Sequence, residues 1–115
     1  MPLPTYSDTR SEPRYDLRLP VQLSAAGANG SEIFGLSENI SAHGVLLLTD
    51  APLLEDARLS LAIVVGALGS SKVTRLLANG KVVRVERRST GGFAIAFWCR
   101  RPFRIMCQSM RRTID

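Results

Sequence analysis

The chain has 115 residues, 45% of them hydrophobic and 22% charged, with a net charge of +5. That length accommodates one hydrophobic core but not two independent domains, and that apolar content excludes a chain disordered throughout. Thirteen of its fifteen basic side chains are Arg, which favours an anionic partner because the planar guanidinium pairs bidentately with phosphates and guanine edges.

Residues 1–13 are polar, proline-bearing and aperiodic, as expected of a flexible tail ahead of a single domain at 14–115. The tail holds no apolar leader segment, and no later stretch approaches the roughly 18 apolar residues of a membrane helix. The expectation is therefore a cytoplasmic chain without membrane insertion. From about Arg18, Leu19, Val21, Leu23 and Ala25 alternate with polar or turn residues, the period of a half-buried strand, and Gly27 to Gly30 supplies a turn. A second strand runs through Ile33, Phe34 and Leu36. It is interrupted by the polar run Asn39-Ile40-Ser41-Ala42-His43-Gly44, after which Val45 to Thr49 forms a third. Pro52 ends that strand, and Leu53 to Asp56 reads as a loop or helical turn. Leu59, Leu61, Ile63 and Val65 mark a fourth strand. After a Gly/Ser loop at 66–71, Val73 to Val85 reads as one long or bulged strand around Asn79-Gly80, and Phe93 to Trp98 as another. Short strands with Gly-containing turns suggest a closed or nearly closed barrel over about 18–99. Beyond Pro102, Phe103, Met106, Cys107, Met110 and Ile114 fall at helical spacing, predicting an amphipathic C-terminal helix over about 102–113 that packs on the barrel.

Catalytic machinery is scarce. The single histidine, His43, excludes a His-rich metal site and would have to carry any Ser-His-Asp arrangement alone. Glu55-Asp56 is the only adjacent acidic pair, and no Gly-rich loop leads from a strand into a helix. Cys99 and Cys107 lack CxxC spacing and are too few for a disulfide framework, so both are expected reduced and buried. These features imply no enzyme activity, no catalytic residues, no metal and no cofactor.

Arginines four residues apart occur at Arg10/Arg14, Arg14/Arg18, Arg84/Arg88 and Arg100/Arg104, little more than an Arg-rich composition gives by chance. The pair Arg14 and Arg18 is distinguished by the polar run that follows two strands later. An RxxxR at the entry to the first strand, followed by [D/N]xSxxG at Asn39, Ser41 and Gly44, resembles the paired signature of the PilZ family of cyclic di-GMP receptors. The likeness covers roughly residues 10–98 and includes "RLPVQL", "NISAHGVLLLT", "NGKVVRV" and "GGFAIAFW".

The resemblance implies an all-β fold, a six-stranded antiparallel barrel with a C-terminal α-helix, and a role as receptor or adaptor in the control of motility, exopolysaccharide or biofilm. Its ligand would be cyclic di-GMP, whose two phosphodiesters and two guanines call for guanidinium groups and stacking planes. By resemblance, Arg14 and Arg18 grip phosphate and guanine, Asn39 meets a guanine edge and Ser41 a phosphate or guanine. Gly44 permits close approach of the nucleotide, with Arg10 and His43 as additional contacts. The tail bearing Arg10 would fold over the ligand and change the surface shown to a protein partner. One departure is Pro13, where many family members carry a further Arg, which leaves affinity and the number of bound nucleotides open. Two rivals remain: a PilZ-like adaptor that does not bind nucleotide, and a basic barrel binding nucleic acid, for which exposed interleaved aromatics are scarce. Trp98 alternates away from Ile95 and Phe97 and so is expected to face outward in an ordinary surface or helix-packing role.

Overall fold

Strand pairing, not strand number, determines how this chain closes. The computed structural model describes residues 12–25, 32–66 and 72–109, and it contains seven strands: β1 (Pro20–Ala25), β2 (Glu32–Ser41), β3 (Gly44–Thr49), β4 (Arg58–Gly66), β5 (Lys72–Arg87), β6 (Phe93–Trp98) and β7 (Arg104–Ser109). Neighbours run β4-β1-β2-β3-β6-β5, all antiparallel, and a further β4–β5 ladder from Arg58↔Lys81 to Gly66↔Thr74 joins the ends into a closed six-stranded barrel. Closure gives each of those six strands a partner on both sides over part of its length, which limits the usual route to edge-to-edge aggregation. The turns expected at 27–30 and 67–71 lie outside the described residues.

Alternation produces the core. Val21 and Leu23 of β1, Val45 and Leu47 of β3, Leu59, Leu61 and Ile63 of β4, and Ile95 and Phe97 of β6 point inward and are buried. Their immediate neighbours point outward, as a period of two requires. Burying each of these side chains stabilises the fold by roughly 1.5–3 kcal/mol relative to exposure. Gly80 of β5 lies where a Cβ would collide with the Trp98 carbonyl and come within 2.8 Å of the Phe97 ring, so the absent side chain is what lets β5 cross close to β6.

Of the two forms expected around Asn79-Gly80, the strand takes the long one, with a close approach at Gly80 and no bulge there. The register shifts of β5 fall elsewhere, against β4 between Val64 and Gly66, and against β6 between Val82 and Arg84. At Leu53 to Asp56 the chain makes a turn in which Asp56 adopts a left-handed φ of 71°.

The C-terminal segment departs from its predicted helix. Arg104–Ser109 is a strand, paired antiparallel with residues 72–77 of β5, and the remainder of the predicted helix lies outside the described residues. The physical reason lies in β5, which is 16 residues long while β6 pairs only with its second half, from Lys81 to Arg87. The first half keeps a row of unpaired N–H and C=O groups on that side, and the chain leaving β6 runs straight along it. β7 thus continues the line of β6 after a five-residue excursion at 99–103. Backbone pairing outweighs the helical spacing of the apolar side chains, which stay largely outside the core: Ile105 is 74% exposed, and Cys107, expected buried, is exposed.

Candidate functional site

The polar run at 39–44 is a hairpin tip. Ser41 pairs with Gly44, Ala42 and His43 make the turn, and the turn's two carbonyls accept hydrogen bonds from the excursion after β6, Cys99 N–H to His43 O at 2.9 Å and Phe103 N–H to Ala42 O at 3.1 Å. Gly44 has an ordinary negative φ, and a Cβ there would come within 2.8 Å of the Phe97 carbonyl. Its missing side chain therefore serves the pairing of β3 with β6, independently of any ligand.

A register shift in β2 decides which way the polar residues point. On β2, Ser37 faces inward and is fully buried; the ladder to β3 then skips Glu38, and Asn39 pairs with Leu46. The extra residue inverts the phase, so Ile40 is buried while Asn39 and Ser41 are on the outside of the barrel. Without it, one residue of slip would carry both polar side chains into the core. A second shift on β5 does the same for Arg84: Val82 is fully buried, while Val83 and Arg84 both lie outside.

Between these two irregularities the outer faces of β2, β3 and β6 form a groove of about 540 Å³. Asn39, Ser41, Gly44 and Leu46 line one side, Ala96 and Trp98 the middle, and Arg84 and Arg100 the other, with Glu12, Arg14 and His43 at the hairpin end. Small Ala96 leaves room over β6, and Trp98 is nearly half exposed, presenting a ring face for stacking. The walls carry Arg14, Arg84 and Arg100 against one carboxylate, Glu12.

Arg14 reaches the groove because the N-terminal segment runs along β2 past the end of β1. Tyr15 exchanges two backbone hydrogen bonds with Ile40, at 2.8 and 2.9 Å. Ser37 Oγ donates to the Leu17 carbonyl and accepts from the Leu19 N–H at 2.9 Å, and the Ser37 N–H donates to the Leu19 carbonyl at 2.9 Å. Ser37 is thus the buried clamp that fixes the strap, a role invisible from sequence because its partners lie some twenty residues away. Glu12 anchors the far end of the strap through Nδ1 of His43.

The predicted site residues separate accordingly. Arg14, Asn39, Ser41, His43 and Gly44 converge on the groove. Arg18 does not line it; its guanidinium is exposed and lies 3.8 Å from Glu38. Arg10 lies outside the described residues. Arg84, Arg100, Trp98 and Glu12 join the groove without having been singled out as contacts. Their only advance signals were the outward phase of Trp98 and two further RxxxR spacings, which composition alone explains. Below the groove, Cys99 is buried and its thiol is pushed up to about 11, first by burial and then by the Glu12 carboxylate, which keeps it a neutral packing group and not a nucleophile.

The family model described as "PilZ domain" matches residues 8–103. Among solved structures, the chain is similar to the Bacillus subtilis inhibitor of motility, MotI/DgrA, with a TM-score of 0.65 and 21% sequence identity. That match covers 81% of this chain but 43% of the other, so the chain spans less than half the length of that protein, and the likeness is one of fold. No curated protein matches the chain.

Proposed function

The chain belongs to the PilZ family, and on that premise we propose that the groove over β2, β3 and β6 is a receptor site for cyclic di-GMP, whose binding is passed to a protein partner. The observation that carries this reading is convergence: Arg14, Asn39, Ser41 and Gly44, spread over thirty residues of sequence, meet in one groove with Arg84, Arg100 and Trp98. The ligand's phosphodiesters pair with guanidinium groups, each charge-assisted hydrogen bond contributing about 1.5–3 kcal/mol. Its guanines stack on Trp98 or a guanidinium plane, and the Asn39 amide and Ser41 hydroxyl meet a base edge or phosphate.

Glu12 is the carboxylate that the ligand's phosphate displaces. Its release from His43 frees the strap to close over the nucleotide, carrying Arg10 and Arg14 inward and drawing Arg18 from Glu38. The surface shown to the partner changes with it, and signalling follows from binding without turnover, in the cytoplasmic compartment. Motility, the process named for MotI/DgrA, is one output such a device serves.

Titration calorimetry of the full chain with cyclic di-GMP tests the reading. Saturable binding is expected, with affinity about 10- to 100-fold weaker in Arg14→Ala. Absence of heat at ligand concentrations up to about 100 µM overturns the receptor reading and leaves an adaptor that works through protein contacts alone.

A further inference from the structure

The positive surface continues beyond the groove. Strand register places Ser41, Gly44, Trp98, Lys81 and Arg58 in one row across β2, β3, β6, β5 and β4. Ser41 and Gly44 line the groove, whereas Lys81 and Arg58 lie past Trp98 in a separate hollow of about 450 Å³. Arg100 lines this hollow too, and with Arg101 and Arg104 it lines an adjoining one of about 770 Å³. Asn79 belongs to both hollows; Ser60 Oγ donates to its Oδ1 at 2.7 Å, which leaves the Nδ2 amide as a further exposed donor. Arg58, Arg100, Arg101 and Arg104 are exposed, and none forms an ion pair with a described residue. The described carboxylate that meets this face is Asp56, exposed and 3.9 Å from Lys81 Nζ. Neighbouring guanidiniums without counter-charge repel one another, and an anion from outside relieves that repulsion.

We propose that this face docks an acidic segment of a partner protein, whose Asp and Glu carboxylates meet Arg58, Lys81, Arg100 and Arg101. The arrangement favours carboxylates over nucleic acid. A single strand needs aromatic platforms for successive bases, and across the two hollows Trp98 is the one exposed ring, Phe103 being half-buried against the core. Donors without a stacking ladder suit a ligand that needs only charge and hydrogen bonds. Trp98 and Arg100 also line the groove, so the two sites share a border. The Arg100 guanidinium serves either the nucleotide or the segment, and anions on both sides of Trp98 repel each other. Cyclic di-GMP therefore acts as a releasing signal: it weakens docking, and by linkage the segment weakens nucleotide binding by the same factor. This coupling rests on the receptor reading, and the docking itself does not.

Fluorescence anisotropy of a labelled twelve-residue peptide of alternating Glu and Ala, titrated with the full chain at about 150 mM salt, tests the docking without nucleotide. Saturable binding with a dissociation constant below about 100 µM is expected. Arg58→Glu combined with Arg101→Glu is expected to weaken it by about 10-fold or more, with the melting temperature unchanged. Arg87→Glu combined with Arg88→Glu makes the same change in net charge at the opposite end of the β5–β6 ladder, and is expected to alter affinity by less than about 2-fold. Absence of peptide binding, equal losses in the two variants, or tighter binding of a single-stranded DNA or an anionic-lipid vesicle through Arg58 and Arg101 each overturns the proposal. Adding cyclic di-GMP at about 1 mM then tests the coupling. The peptide is expected to bind about 5-fold more weakly or worse, and an unchanged affinity in a chain that binds the nucleotide overturns the competition through Arg100. A chain that binds the peptide but gives no heat with cyclic di-GMP overturns the receptor reading and upholds the docking.

Discussion

The two halves of β5 contrast in what surrounds them. From Lys81 to Arg87 the strand is paired with β6 inside the ring, Val82 is fully buried, and the bulge beside it turns Arg84 into the groove. From Lys72 to Leu77 it carries β7 on the same side, and the apolar side chains of that added strand stay in solvent. The first half is also laddered to β4 on its other side, whereas beyond Val82 the second half has no β4 partner among the described residues, so the number of paired edges does not decide burial. Backbone pairing is enough to define a strand; only closure around a core gives its side chains large energetic weight.

Leu47→Ala is the largest break available to this contrast. Its side chain is completely buried in β3, and truncation is expected to cost about 2–5 kcal/mol of stability, read from chemical unfolding. A cost below about 1 kcal/mol would mean the ring encloses no tightly packed core. Next in size is Ser37→Ala, which strips the strap of its clamp and leaves the Leu17 carbonyl without this partner and the Leu19 N–H without its acceptor. The expected loss is about 2 kcal/mol, accompanied by weaker cyclic di-GMP binding, because Arg14 is held at the groove by that strap. An unchanged unfolding midpoint in this variant would show that the strap is not tied to the barrel through Ser37. The smallest effect belongs to β7, where Ile105→Ala should change stability by no more than about 0.5 kcal/mol, given its exposure. A loss comparable to that of Leu47→Ala would place β7 within the folded core and erase the contrast.

The alternation of Val21 with Leu23, of Val45 with Leu47 and of Ile95 with Phe97 is a local signal, and it located six strands before any pairing was known. The last segment reads as helix because Phe103, Met106 and Cys107 satisfy a helical period, while the deciding factor, the first half of β5 that β6 leaves uncovered on one side, lies some thirty residues upstream. The site divides in the same way. Asn39, Ser41 and Arg14 were legible as a motif, whereas Arg84, Arg100, Trp98 and Glu12 became neighbours only when β3, β6 and β5 paired side by side. Arg18 shows the converse. It belongs to the motif by spacing, yet its guanidinium lies near Glu38, outside the groove.

Local patterning is enough to set the class of the molecule: an all-β barrel with an Arg-rich surface and a polar hairpin tip. Period-two patterning and motif spacing depend only on residues close in the chain, and they hold wherever those residues are folded. Tertiary structure decided which side the polar residues face and where the last strand goes. A one-residue register shift at Glu38 puts Asn39 and Ser41 outside the barrel, and the surplus length of β5 turns a predicted helix into a strand. Both outcomes depend on the hydrogen-bonding needs of a partner strand, which no local pattern encodes.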